Sequence, residues 1–189
     1  MRSKDLLEII WFSRGGQGAK TSALLFGEVA LASGYYIQAF PEYGPERAGA
    51  PMRVYNRIDR KFIRFRTQIQ RPNIVVVLDS TLLKTQVSKL YNLPATFLIN
   101  SPIEKSILKK EQKIKGEVVT IDASKIALEY LGKPIPSIVM LGGIIGLLKF
   151  NLDKVLPELK SRLSEKIDKR LVSANLKLID KAYKIIKEN

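Results

Sequence analysis

The chain has 189 residues, 46% of them hydrophobic, a content that fits a folded domain and excludes a disordered one. Its formal charge is +14, from 32 Lys and Arg against 18 Asp and Glu, so it suits an anionic partner or carries a well-solvated basic surface. Cysteine and histidine are absent. That excludes disulfides, cysteine-held iron–sulfur clusters, Ser-His-Asp and Cys-His nucleophiles and histidine acid–base chemistry, and it leaves a structural zinc site without its usual ligands.

The N-terminal residues lead into a strand-like run rather than a signal peptide's apolar segment, so no signal peptide is expected. The longest apolar run, 138–148, is far shorter than the roughly 20 residues needed to cross a bilayer. A cytoplasmic location is expected. Abundant lysine and isoleucine without cysteine match a thermophile's composition.

In chain order, the apolar run 8–12 predicts a strand and the periodic stretch 20–32 a helix. Between them lies Ser13-Arg14-Gly15-Gly16-Gln17-Gly18-Ala19. Glycines here permit positive φ and close approach of backbone N–H groups, and the loop opens onto a helix N-terminus, which favours an anion. The same arrangement serves as a packing turn. It is neither G-x-x-x-x-G-K-[ST] nor G-x-G-x-x-G, although Lys20 and Thr21 sit where a P-loop carries its lysine.

Ser33 and Gly34 stop the helix, and 35–40 forms a second strand. The stretch 41–51 holds three prolines and two glycines. It is a stiff loop presenting Glu42, Tyr43, Glu46 and Arg47, either to a ligand or to solvent. Alternation over 52–58 and 62–66 predicts an antiparallel hairpin turning at Asp59-Arg60-Lys61, with Arg53, Arg57, Arg64 and Arg66 on its solvated face. The arginines and aromatics here bring no nucleic-acid-binding signature with them.

The continuous run 73–79 predicts a strand buried on both faces. Asp79 ends it on the edge where open α/β sheets bind ligands, or serves only as the cap for a helix reaching about 90, which is the commoner case. Further strands are expected at 95–100 and 117–121, the latter followed by an Asp122-capped helix to 131. Ser137 is expected to cap an apolar, glycine-containing helix to 150, and amphipathic helices from about 151 close the chain. Together these elements predict a single three-layer α/β/α domain over 1–189, with a mixed, mostly parallel sheet, one β-hairpin and a C-terminal helical segment.

The pairing of Arg14-Gly15-Gly16-Gln17-Gly18 with 40–51 closely resembles the gamma subunit of 2-oxoacid:ferredoxin oxidoreductases, a unit also found fused inside longer chains. The continuation 49–59 resembles the pyruvate and branched-chain (ketoisovalerate) branches. Ser13 departs from the family pattern by replacing a first glycine. The resemblance implies an enzyme, inactive as this chain alone, that converts a 2-oxoacid, coenzyme A and oxidised ferredoxin to acyl-CoA, carbon dioxide and reduced ferredoxin.

It further implies alpha, beta and delta partner subunits that carry thiamine diphosphate and iron–sulfur clusters, with no membrane partner. Gamma is left with assembly and part of a coenzyme A site. On this resemblance Arg14, Gly15, Gly16, Gln17, Gly18, Tyr43, Glu46 and Arg47 are the candidate ligand-binding residues, with no catalytic or metal-binding residue. Arginine gives phosphate bidentate, permanently charged contacts. Two other readings stand beside this one: a purely structural subunit, in which Glu42, Glu46 and Arg47 form interface ion pairs, and a nucleotide- or nucleic-acid-binding protein.

Overall fold

The computed structural model describes residues 5–42 and 49–188. Its strands are β1 (Leu7–Arg14), β2 (Tyr36–Pro41), β3 (Pro51–Asp59), β4 (Ile74–Val77), β5 (Thr96–Asn100) and β6 (Glu117–Ile121). They form one sheet in the order β2-β3-β1-β4-β5-β6. Pairs β1·β4, β4·β5 and β5·β6 are parallel, whereas β2·β3 and β1·β3 are antiparallel. The sheet is mixed and mostly parallel, as the sequence predicts.

Helices α1 (Ala19–Ala32), α2 (Lys105–Gln112), α3 (Ala123–Leu131), α4 (Ser137–Leu147), α5 (Leu152–Lys166) and α6 (Lys169–Glu188) complete the fold. Both faces of the sheet are covered, which is why β1 and β4 read as unbroken apolar runs. Ile9 and Trp11 pack with α1, α3, α4, α5 and α6 on one face. Ile10 and Phe12 face the other layer, built from α2 and residues 80–91. Inside the first layer Trp11 Nε1 donates to Asn56 Oδ1 at 2.7 Å and Asn56 Nδ2 donates to the Ala23 carbonyl at 3.0 Å, so both buried polar groups are satisfied.

Four local expectations are corrected. The hairpin is formed by β2 and β3, not by 52–58 with 62–66. Strand β3 already has β2 and β1 on its two edges, so no edge remains for 62–66, which runs as an irregular strap. Arg57 is therefore not solvated: it is fully buried, its Nε 2.8 Å from Glu8 Oε1. Its Nη2 also donates to the Thr67 carbonyl of the strap.

The expected regular helix after Asp79 is a succession of 3₁₀ and π turns over 80–90. Ser88 Oγ donates to the Lys84 carbonyl at 2.9 Å, a side-chain bond of the kind that bends helices. Ser137 is the first residue of α4 rather than its cap. Pro136 takes the cap position with φ −76°, a value the proline ring favours, and no side chain caps the helix. Helix α2, finally, has no counterpart in the sequence reading. It is strongly polar, buries only Leu108, and is capped by Glu104, outside the usual Ser/Thr/Asp/Asn set.

Helices α4 and α6 approach closely because α4 presents glycines. A Cβ on Gly142 would lie 2.5 Å from the Ile179 carbonyl oxygen, and one on Gly146 would lie 3.1 Å from that of Tyr183.

Candidate functional site

After β1 the chain crosses to the α1 face, and after β4 it crosses to the opposite face. Adjacent parallel strands whose connections diverge leave a crevice at their carboxyl ends, the usual ligand position in open α/β sheets. The glycine loop and Asp79 follow the carboxyl ends of β1 and β4, at that position.

Ser13 remains within β1, paired opposite Met52, and is fully buried. The positive-φ residues other than glycine among those described are Lys113 and Lys149, so Ser13 keeps ordinary backbone angles and the turn begins after it. Gly16 has φ +93° and Gly18 φ +82°. A Cβ on Gly16 would meet nothing within 4 Å, whereas one on Gly18 would lie 2.5 Å from Ser137 Oγ. Gly18 is also the N-cap of α1, with no side-chain cap. The loop thus leaves open space at Gly16, closes against Ser137 at Gly18, and leads into a helix N-terminus with no side-chain cap.

Gly18→Ala would strain the left-handed backbone and push on Ser137. Its expected effect is a loss of about 1–2 kcal/mol, read by chemical denaturation. Gly16→Ala should cost less, since the added methyl has free space.

The polar side chains of the loop hold one another. Gln17 accepts from the Arg14 N–H at 2.8 Å through Oε1 and donates to Asp79 Oδ2 at 3.0 Å through Nε2. Arg14 donates to Asp79 Oδ2 at 3.0 Å, to the Gly49 carbonyl at 3.1 Å and to Thr81 Oγ1 at 2.9 Å. Of the predicted ligand-binding residues, Arg14, Gly15, Gly16, Gln17 and Gly18 are therefore together. Arg14 and Gln17 have their polar atoms engaged in this clamp, and Gly16 is the loop glycine that remains exposed with open space beside it. Tyr43, Glu46 and Arg47 lie outside the described residues.

The two motifs are tied by backbone. Gly15 N–H donates to the Ala50 carbonyl at 2.9 Å, and Gly49 N–H to that of Gly15 at 3.2 Å. Just after β2, Glu42 accepts from Tyr55 Oη at 2.5 Å and from Arg53 Nη1 at 3.4 Å. Glu42 is thus engaged inside this chain. Burial, then the hydrogen bond to Glu42 and its charge, push the Tyr55 hydroxyl up to about 12 against the opposing pull of Arg53.

Asp79 and Thr81 are the site residues whose role the sequence conceals. Asp79 is visible there as a strand-end cap, and its Oδ1 does accept from the Thr81 N–H at 2.9 Å. Its bond to Arg14, 65 positions away, leaves no local pattern. Burial pushes the Asp79 carboxyl up, but hydrogen bonds from Thr81 and Gln17 and the Arg14 charge outweigh it, and the net shift is downward. A depressed folded-state pKa stabilises the protein above the unfolded value, and that contribution is lost as pH falls through the folded value. Acid titration of stability should fall steadily below about pH 4 in the wild type. Asp79→Asn should be flatter in that range; identical acid limbs would remove Asp79 from the account.

Among the described residues no group of three acidic side chains is placed to hold a metal, and no helix is long and apolar enough to cross a membrane.

The family model described as pyruvate ferredoxin/flavodoxin oxidoreductase matches residues 8–185. Pyruvate synthase subunit PorC of Thermotoga maritima is 34% identical over 186 residues, covering 98% of this chain and 97% of the relative. The chain belongs to the gamma-subunit family of pyruvate and 2-oxoacid:ferredoxin oxidoreductases. This gamma subunit is also 38% identical over 183 residues to the pyruvate/ketoisovalerate oxidoreductases common subunit gamma of Thermococcus kodakarensis, covering 94% of this chain and 96% of that one.

The crystal structure of pyruvate oxidoreductase subunit PORC from Thermotoga maritima matches the gamma subunit with a TM-score of 0.80 at 32% identity, covering 96% of this chain and 97% of that chain. A 2-oxoglutarate:ferredoxin oxidoreductase from Magnetococcus marinus, with 2-oxoglutarate, coenzyme A and succinyl-CoA bound, shares the fold with a TM-score of 0.79 at 18% identity. There the fold occupies 32% of a longer chain. By its family and its named relatives, the gamma subunit is one part of an oxidoreductase complex.

Proposed function

We propose that this gamma subunit completes the coenzyme A site of a pyruvate or branched-chain 2-oxoacid:ferredoxin oxidoreductase. Its partners would be the alpha, beta and delta subunits that carry thiamine diphosphate and iron–sulfur clusters, with ferredoxin as electron acceptor. The observation that carries the reading is the turn at the carboxyl ends of the parallel strands β1 and β4, where Gly16 is exposed with open space beside it and the chain enters an α1 N-terminus with no side-chain cap. Oriented N–H groups at a helix start suit a phosphate, and coenzyme A is the phosphate-bearing substrate of the reaction. The clamp of Arg14, Gln17, Asp79 and Thr81 keeps that backbone in one shape before a ligand arrives. The relatives of known name favour pyruvate and ketoisovalerate over 2-oxoglutarate.

The test uses the assembled complex, reading coenzyme-A-dependent viologen reduction with pyruvate and with 2-ketoisovalerate. Arg47→Ala should raise the apparent KM for coenzyme A about tenfold or more, as loss of a charged phosphate contact does, with the KM for the oxoacid unchanged. An unchanged KM together with loosened assembly would instead make gamma a purely structural subunit.

A further inference from the structure

The strap that follows β3 carries a surface that neither the sheet nor the crevice uses. From Arg60 to Leu78 the sequence has no acidic residue, and Arg60, Lys61, Arg64, Arg66 and Arg71 fall in its first twelve positions. The strap is fixed from beneath. Ile63 and Ile69 are buried, the Ile63 carbonyl accepts from Gln38 Nε2 at 3.2 Å, and the Thr67 carbonyl accepts from Arg57.

Lys61, Arg64 and Arg66 are exposed and make no ion pair among the described residues. Nearby carboxylates do not neutralise them. Glu8 is paired with Arg57, Asp59 is buried, and Glu42 is held by Tyr55 and Arg53. Between these cations stands Phe62, 70% exposed, its ring edge-on to Tyr36, 5.8 Å away on the edge strand β2.

We propose that this face docks an acidic, apolar-centred surface of another subunit of the oxidoreductase, with Phe62 as the anchor and Lys61, Arg64 and Arg66 as the charged rim. The inference rests on the reading of this chain as one subunit of a complex. An aromatic anchor ringed by arginines is the composition of interface hot spots. A cation row fixed to the backbone, with no internal carboxylate to answer it, gains most from an acidic partner. Protein is favoured over nucleic acid because the Phe62 ring is propped edge-on against Tyr36 beside an open strand edge, whereas base recognition uses stacking platforms.

The test co-expresses the tagged chain with the other subunits of its oxidoreductase and measures assembly by size-exclusion chromatography at low and high salt. Phe62→Ser, and Arg64→Glu combined with Arg66→Glu, should each weaken association about tenfold or more, with the melting temperature of the isolated chain unchanged. The charge-reversal deficit should depend on salt, and the Phe62→Ser deficit should not. Lys160→Glu combined with Lys177→Glu makes the same charge change on α5 and α6 and should assemble normally.

Strap variants that assemble as tightly as the wild type would overturn the proposal. So would variants that assemble normally but lose affinity for a mixed-sequence oligonucleotide, which would give the face to nucleic acid. A wild-type chain that joins no other subunit would overturn the subunit reading as well, and so is distinguishable from failure at the strap alone.

Discussion

Arg57→Ala is expected to lower stability by about 3–5 kcal/mol, the usual consequence of breaking a buried ion pair from one side. Glu8 is 2% exposed and Arg57 is fully buried, with 2.8 Å between Nε and Oε1. Truncation leaves the Glu8 carboxylate inside the protein without its guanidinium. It also removes the donors to Thr67 and Gln38 and the cation that sits 4.8 Å from the Phe65 ring centroid. The strap loses its pin at the same time. Equilibrium denaturation measures the loss, and a decrease below about 1 kcal/mol would mean that water replaces the pair. The double variant Glu8→Leu with Arg57→Met should recover at least half of the stability, since a well-packed apolar pair avoids the desolvation cost.

Gly142→Ala is expected to cost about 2–3 kcal/mol net, even though alanine is the better helix former by about 1 kcal/mol. The new methyl would lie 2.5 Å from the Ile179 carbonyl oxygen and 2.8 Å from the Ile179 Cα, and backbone has no rotamer with which to yield. Helices α4 and α6 would have to separate. The neighbouring Gly143→Ala is the control, because its methyl would meet the Leu98 side chain at 3.3 Å, and a flexible Cδ can move. A thermal melt in which Gly142→Ala matches Gly143→Ala would show that the two helices slide apart without cost.

Where the local pattern and the global environment agree, the sequence alone reveals the structure. β1, α1, β4, β5, β6 and α3 are legible in their apolar runs and caps, and Asp122 does accept from the Lys125 N–H at 3.1 Å. Arg57 shows where local reading fails. Strict alternation assigns it to solvent, but both faces of β3 are covered, and Glu8 supplies the partner that makes burial tolerable. The site divides in the same way. The glycines disclose a turn at a strand-to-helix junction, because positive φ leaves a mark in composition. The clamp that fixes the turn is assembled from Arg14, Gln17, Asp79 and Thr81, and its contacts between the first two and the last two span more than sixty positions, beyond any local window.

The backbone bonds between Gly15 and residues 49–50 make one mechanical piece of two segments that lie far apart in the chain. For protein engineering, the transplantable unit is therefore not the proline-rich stretch 41–51 by itself. A chimera that takes 41–51 from a relative and keeps the host's 14–18 joins two halves of different hooks. One that exchanges both stretches together carries the hook intact.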